Sequence, residues 1–501
     1  MQVVIRTDAS ARIGSGHVMR CLTLADRLAQ DGAAVRFVCR EHPGHMIDLI
    51  EAKGFTVIRL PCPEGDNSLQ GYAAWLGVSQ LEDAVQTVQG LSGTSADWLV
   101  VDHYALDAQW ETQMRNHTAR LLVIDDLANR RHDCDVLLDQ NLVADVEHRY
   151  DRLLDSNTTR LLGPSFALLQ PDYAALAATR DAPDNAVPRV LIFMGGADRG
   201  TTLKAVQGFL SINRPDIVCD VVLSRANPDF PEIERLVANS PHIQIHGPLP
   251  SLAPLMAQAT LAVGAGGATS WERLCFGLRA VVVNLADNQR AITEELERCG
   301  FVRVAGDAAS LTPGDFQRAI QLELERGISA LRSDIVDGRG AERVAAVLTV
   351  DQNTPTYLRP VRAEDEHLLL TWANDRLVRA NAFDPRPIAP EDHHRWLSSR
   401  LADPTNCRLL VAETSNGVPL GQVRFDRRDQ VWVIDYSVAP QFRGRGLGKA
   451  ILQAAIGQMK PGETIVGEVL ANNLASHKVF QSLGFASMPG QQGSTRYEIS
   501  R

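Results

Sequence analysis

Two glycine-bounded polar stretches in this chain carry residue types that hold phosphate and move protons. One is Gln441-Phe442-Arg443-Gly444-Arg445-Gly446-Leu447-Gly448-Lys449, which follows an alternating run ending at Ser437-Val438 and precedes an apolar helical run, Ala450 to Ile456. Gly444, Gly446 and Gly448 leave backbone N–H groups facing outward. The helix terminus adds partial positive charge, and Arg443, Arg445 and Lys449 add full charges; together these make a pyrophosphate cradle. The other is Gly14-Ser15-Gly16-His17-Val18-Met19-Arg20, which puts His17 at or near a helix N-terminus. Positive potential there lowers a histidine's pKa and favours the neutral form, which accepts a proton. The alternative is that His17 only caps the helix or binds a phosphate.

The elements that must position these residues are strands alternating with helices. Apolar runs at Val3–Arg6, Ala34–Cys39, Thr56–Leu60, Trp98–Val101 and Arg120–Asp125 predict parallel strands, with a short one near Asp135–Asn141. Val18, Cys21, Leu22, Leu24, Ala25 and Leu28 have helical spacing. Such βαβ repetition implies a sheet whose ligand sits at the strand carboxyl ends. Pro164 to Pro188 reads as a connection with some helix near Tyr173–Arg180. A second set of strands follows at Arg189–Met194, Val218–Leu223, Ile243–Gly247, Leu261–Val263 and Ala280–Leu285. The expected organisation is residues 1–165, a linker over 166–188, a second Rossmann-like domain over 189–348 and a third domain over 355–501. The predicted fold class is α/β: two Rossmann-like domains (GT-B-like) followed by an α+β domain.

The 501 residues suit about three domains, and the formal net charge of −10 argues against general nucleic-acid binding. The eight cysteines are scattered without a CxxC pair, which suits buried free thiols in a reducing compartment. No basic leader or apolar run of membrane length is evident, so a cytoplasmic protein is expected, with no metal, nucleic acid or membrane partner. His393-His394 reads as a solvated turn rather than a metal site.

The C-terminal third resembles the GNAT acetyltransferase superfamily. Its acetyl-CoA loop matches Gln441-x-x-Gly444-x-Gly446-x-Gly448, and its second signature matches Asn473, Ser476, Phe480 and Gly484-Phe485. The resemblance implies acetyl-CoA as co-substrate, held by Val438 and the stretch 441–449, with Asn473 on the pantetheine arm and Ser476 and Phe480 nearby. Phe480 departs from the pattern: many members carry there a tyrosine that protonates the leaving thiolate. His477 is expected to point outward. Glu413, Asp435 or a water chain are open choices for the amine's base.

The first part resembles the UDP-2,4-diacetamido-2,4,6-trideoxy-β-L-altropyranose hydrolase family of pseudaminic acid biosynthesis. The matching stretches are Ile5-Arg6-Thr7-Asp8-Ala9-Ser10, Gly14 to Leu22, Val101-Asp102-His103-Tyr104 and Phe193-Met194-Gly195-Gly196-Ala197-Asp198. The loop Gly266-Gly267-Ala268-Thr269-Ser270-Trp271-Glu272 and Asn288-Gln289 resemble the UDP-gripping half of the peptidoglycan N-acetylglucosaminyltransferase. These resemblances imply that His17 handles the water, with Tyr104 and Asn288 in the active site. Gly14, Ser15, Gly16, Arg20, Gly195, Gly196, Gly266, Gly267, Ser270, Glu272 and Gln289 would hold the UDP-sugar, with Glu272 on the ribose hydroxyls. Tyr104 orients water or sugar, or is a half-buried core aromatic; Asp102 caps a turn. A chain with both parts resembles a fusion of consecutive steps, N-acetylation of a UDP-linked amino sugar and its hydrolysis to UDP and free sugar. Two other readings are a GT-B glycosyltransferase fused to an acetyltransferase, and a nucleotide-sugar-binding module that targets an acetyltransferase to a protein.

Overall fold

The computed structural model describes residues 1–62, 69–180, 188–195, 198, 200–326 and 335–501. They form two compact units, Met1–Ala345 and Ala346–Arg501.

The first unit holds two parallel sheets. β1 (Gln2–Thr7), β2 (Ala34–Arg40), β3 (Thr56–Leu60), β4 (Ala96–Asp102), β5 (Thr118–Ile124), β6 (Val136–Asp139) and β7 (Thr159–Leu162) stand in the order β3-β2-β1-β4-β5-β6-β7. β8 (Arg189–Phe193), β9 (Val218–Val222), β10 (Ile243–His246), β11 (Leu261–Ala265), β12 (Arg279–Asn284) and β13 (Val302–Asp307) stand as β10-β9-β8-β11-β12-β13. Both are doubly wound. Central strands such as Val3-Val4-Ile5 and Val281-Val282-Val283 are continuous apolar runs because both faces are covered. Strand order reverses between β1 and β4 and between β8 and β11, so each sheet opens a crevice there at its strand carboxyl ends.

Part of the expected linker is core. Ala167, Leu169 and Tyr173, the last on the helix Pro171–Ala178, pack with Trp271, Leu274 and Leu296 of the second half. Residues 181–187 of that linker lie outside the described residues.

The second unit is one mixed sheet. β14 (Tyr357–Pro360), β15 (Cys407–Glu413), β16 (Pro419–Arg428), β17 (Val431–Val438), β18 (Thr464–Leu470), β19 (Ala486–Pro489) and β20 (Ser494–Ser500) stand as β14-β15-β16-β17-β18-β20-β19. The neighbours are antiparallel except β17 and β18, which run parallel and pair only over Val431–Val433 and Thr464–Val466. Among the described residues no helix is long and apolar enough to cross a membrane.

Candidate functional site

At the first crevice, the loop after β1 leads into the helix Gly16–Gln30, and β4 ends at Asp102. His17, Arg20 and Cys21 stand three and four residues apart and so share a helix face. All three reach the fully buried Asp102 carboxylate: His17 Nδ1 at 2.6 Å, Arg20 Nε at 2.7 Å and Nη2 at 2.6 Å, and Cys21 Sγ at 3.4 Å. Burial pushes Asp102 up, but the Arg20 guanidinium and His17 outweigh it and hold the carboxyl well below the usual range. An ionised carboxylate only accepts, so His17 Nδ1 carries a proton, which in the neutral ring makes Nε2 the acceptor. Asp102 is therefore no mere turn cap: it orients His17.

Arg20 is committed to Asp102 and, at 3.1 Å, to Asp126, which makes it a positioning residue rather than a free substrate ligand. Gly14 adopts φ +83°, which lets the loop turn into the helix. Ser15 stands at the N-cap position but its side chain caps nothing, and Ser15 and Gly16 are exposed. The first helical turn holds no acidic side chain to neutralise the positive terminus.

Tyr104 packs edge-on against His17, with ring centroids 4.6 Å apart. Trp75 stacks on Tyr104 at 5.4 Å and Tyr72 meets it at 5.0 Å. Burial first, then the Asp126 charge, raises the Tyr104 phenol, so it stays protonated and can donate. Tyr72 and Trp75 had no sequence signal; they lie in a stretch without periodicity.

Beneath this wall lies a buried ion network. Arg6 pairs with Asp8 and Asp83 at 2.7 Å each, Arg40 reaches Asp83 at 2.6 Å, and Trp110 Nε1 donates to Asp83 at 3.0 Å. Two cations and two anions balance. Asp8 also accepts from the Arg40 backbone N–H at 2.7 Å, tying the ends of β1 and β2 together. His103 Nδ1 accepts from the Ala105 N–H, and burial takes its pKa down to about 3, so it is neutral.

In the second half, Gly195 (φ +96°) follows β8 and Gly266-Gly267 follow β11, both at the strand reversal; Gly196 lies outside the described residues. A Cβ on Gly266 would stand 2.1 Å from Thr293 Cγ2, so only glycine fits. Ser270 is buried and accepts from Arg273 Nη2 at 3.0 Å. Burial raises the Glu272 carboxyl to about 7 despite a hydrogen bond with Tyr173 and the nearby Arg273, and its Oε2 is buried without a partner. Gln289 turns its Oε1 back to the Leu285 N–H at 2.9 Å, while Asn288 is exposed on the same turn. Neither is brought into contact with His17.

In the second unit, the edge of β17 from Ile434 to Val438 faces β18 unpaired. This wedge opens a cavity of about 1920 Å³. Beyond Val438 the chain turns through Gly444 (φ +75°) and Gly446 (φ +79°) into the helix Leu447–Gly457. Phe442 and Leu447, both buried, pin the loop.

Residues 356–486 match the family model described as an Acetyltransferase (GNAT) domain. The C-terminal unit contains a GNAT acetyltransferase domain. An uncharacterized protein of Methanocaldococcus jannaschii is 21% identical over 100% of both chains. The UDP-2,4-diacetamido-2,4,6-trideoxy-beta-L-altropyranose hydrolase of Campylobacter jejuni is 21% identical over 60% of this chain and 98% of its own. The spore coat polysaccharide biosynthesis protein SpsG of Bacillus subtilis is 21% identical over 70% of this chain and 98% of its own.

In the GNAT domain, Val438, Arg443, Gly444, Gly446, Leu447, Gly448, Lys449, Asn473, Ser476 and Phe480 line the cavity. Gln441 and Arg445 do not: Arg445 donates to the Val347 and Val350 carbonyls, and Arg443, though at the rim, pairs with Asp375 at 2.7 Å. Two of the three expected phosphate cations are thus engaged by the protein, and Lys449 is left beside the backbone N–H groups. Asn473 Oδ1 accepts from the Ser476 N–H at 3.1 Å and caps the helix Leu474–Ser482. His477 points inward, bonded to Tyr497 Oη at 2.9 Å and to the Leu470 carbonyl at 3.1 Å. Glu413 pairs with Arg359 at 2.9 Å away from the cavity, whereas Asp435 lines it. His393-His394 is no turn but part of the helix Pro390–Leu401. His394 faces Glu366, while His393 is buried at the cavity wall with both ring nitrogens unpartnered, and burial lowers its pKa.

Proposed function

We propose that the chain is a bifunctional enzyme of UDP-sugar metabolism. In this reading the GNAT domain transfers an acetyl group from acetyl-CoA to the 4-amino group of UDP-4-amino-4,6-dideoxy-N-acetyl-β-L-altrosamine. The first unit, Met1–Ala345, then hydrolyses the UDP-2,4-diacetamido-2,4,6-trideoxy-β-L-altropyranose formed, releasing UDP and the free sugar. The whole acts in the cytoplasm. The observation that carries it is the His17–Asp102 pair at 2.6 Å at the first crevice. It is a base whose free nitrogen is fixed by a buried carboxylate.

The chemistry follows from these residues. His17 Nε2 takes a proton from the water that attacks the anomeric carbon, and Asp102 stabilises the imidazolium formed. Tyr104, a protonated phenol against His17, positions water or sugar by donation, and Tyr72 and Trp75 offer apolar ring faces to a 6-deoxy sugar. UDP leaves with its electron pair and needs donors at the diphosphate: the backbone beside Gly195 and Gly266-Gly267, with Asn288 and Gln289 at the rim. The unpartnered Glu272 oxygen suits the ribose hydroxyls, two donors for a buried acceptor that has none. In the GNAT domain, the open β17 edge fits the pantetheine arm as an added strand, and the glycine turn with Lys449 fits the pyrophosphate.

The test is mass spectrometry of that amino sugar incubated with the protein, with and without acetyl-CoA. UDP and a diacetylated free sugar appearing only with acetyl-CoA is the expected result. Transfer of the sugar to an added acceptor instead of water would make the first unit a glycosyltransferase. Failure to release UDP from separately prepared diacetylated UDP-sugar would overturn the hydrolase assignment.

A further inference from the structure

Acetyl transfer leaves one proton unassigned. When an amine displaces the thiol from a thioester, the electron pair of the C–S bond goes to sulfur, and a buried thiolate needs a donor. Phe480 cannot serve. Its ring is built into the core, stacked on Tyr497 at 5.1 Å, edge-on to Phe485 at 4.9 Å, and pressed so close to β18 that a Cβ on Gly467 would stand 2.6 Å from its Cζ. Tyr497 cannot serve either: it is 1% exposed and its hydroxyl is held by His477.

One phenol does stand in the wedge. Tyr436 lies on β17, three residues beyond Val433, where pairing with β18 ends. It lines the cavity, meets the Phe480 ring edge-on at 6.1 Å, and donates to Ser476 Oγ at 3.2 Å. The wedge is where a thioester laid along the open edge of β17 sits in this reading, because beyond Val433 the strand N–H groups that face β18 are not taken up by it and can polarise a carbonyl. Gly448, in the first turn of the next helix, leaves room over the ring: a Cβ there would stand 3.4 Å from Tyr436 Cε2.

Resting on the transferase reading above, we propose that Tyr436 protonates the departing thiolate and that Ser476 restores its proton. The amine nitrogen bonds to the acetyl carbon and the C–S bond breaks. The Tyr436 hydroxyl proton goes to sulfur, giving free thiol. The phenolate then takes the Ser476 hydroxyl proton, and Ser476 is reprotonated with the proton the amine has lost, through solvent. Burial raises the Tyr436 phenol above its ordinary value, so it starts each cycle protonated.

The test uses the full chain and its Tyr436→Phe variant. Acetyl-CoA consumption is followed by chromatography of free CoA, once with the 4-amino UDP-sugar and once with water alone as acceptor. Both reactions need the same proton at sulfur. The expected result is a kcat about 100-fold lower in Tyr436→Phe, with the dissociation constant of CoA, by calorimetry, within about twofold. A merely structural role for Tyr436 would instead weaken CoA binding tenfold or more alongside the loss of kcat, and that outcome too overturns the assignment. Turnover of Tyr436→Phe within threefold of the parent, in both reactions, overturns the assignment. If the parent consumes acetyl-CoA with water but not with the amino sugar, the acceptor in the reading above is wrong, and the water reaction still decides Tyr436.

Discussion

In the N-terminal unit, Asp102 collects His17, Arg20 and Cys21 from one helix, and Asp83 collects Arg6, Arg40 and Trp110 from three elements. In the GNAT domain the corresponding space is made by what β17 stops sharing with β18, and glycines rather than a buried ion cluster shape the loop beside it. The first site is pre-organised by buried charge; the second is built from backbone. The difference follows from the chemistry each would perform. A water-activating imidazole needs a fixed tautomer, which only a buried acceptor gives. A thioester needs an open strand edge and a turn, which glycine and a parting of strands supply.

This contrast says that substitutions should act on one activity and spare the other. The largest expected effect is on the backbone-built site. Gly446 sits at φ +79° with Gln352 Cβ 3.0 Å from where its own Cβ would be. Gly446→Trp should abolish acetyl transfer and CoA binding, read by calorimetry, and leave UDP release from the diacetylated UDP-sugar unchanged. Unchanged transfer would refute the cradle. Next comes His17→Ala, expected to lower UDP release about 1,000-fold, within the range for a lost general base, in a coupled UDP assay with acetyl transfer intact. Loss of both activities would contradict two separate sites.

Asp83→Asn probes the charge network rather than the chemistry. It leaves Arg6 and Arg40 short of a buried anion, a loss of about 3 kcal/mol. Denaturant unfolding should show the first unit destabilised by that amount and the GNAT transition unmoved. A change below about 1 kcal/mol would mean that Asp8 alone suffices.

Much of this was legible in the sequence, for a physical reason. Strands covered on both faces are written as apolar runs, and loops that approach a ligand are written as glycines, so most strands of the first two sheets and the four glycine turns could be read directly, while the half-buried edge strands β7 and β13 were missed. Partnership across the chain could not. His17 and Asp102 are 85 residues apart, and Asp102 and Tyr104 at one strand end looked alike until the helix face decided between them. Arg443 and Arg445 looked like phosphate ligands because a sequence shows charge but not the Asp375 and backbone carbonyls that occupy it. His393 was misplaced for a different reason: Pro390 with Glu391 and Asp392 was a helix-start signal, and the polarity of the stretch hid it.

The smallest expected effect is on Glu272, and it sharpens the contrast because this site belongs to neither extreme. Its carboxyl, raised to about 7 by burial, has one oxygen without a donor. Ribose hydroxyls would supply donors, and they bond the carboxylate more strongly than the acid. Binding should therefore favour deprotonation and tighten as pH rises through 7. Between pH 6 and pH 8 the ionised fraction climbs from about one tenth to about nine tenths, so the dissociation constant of uridine should fall about ninefold, the pKa shift alone setting that factor. Uridine is the suitable probe because it carries no phosphate to titrate in this range. In Glu272→Gln the pH dependence should vanish, with affinity near the weak, acidic limit of the parent. A parent affinity flat from pH 6 to pH 8 by NMR titration would place the ribose elsewhere and leave that buried oxygen unexplained by the nucleoside.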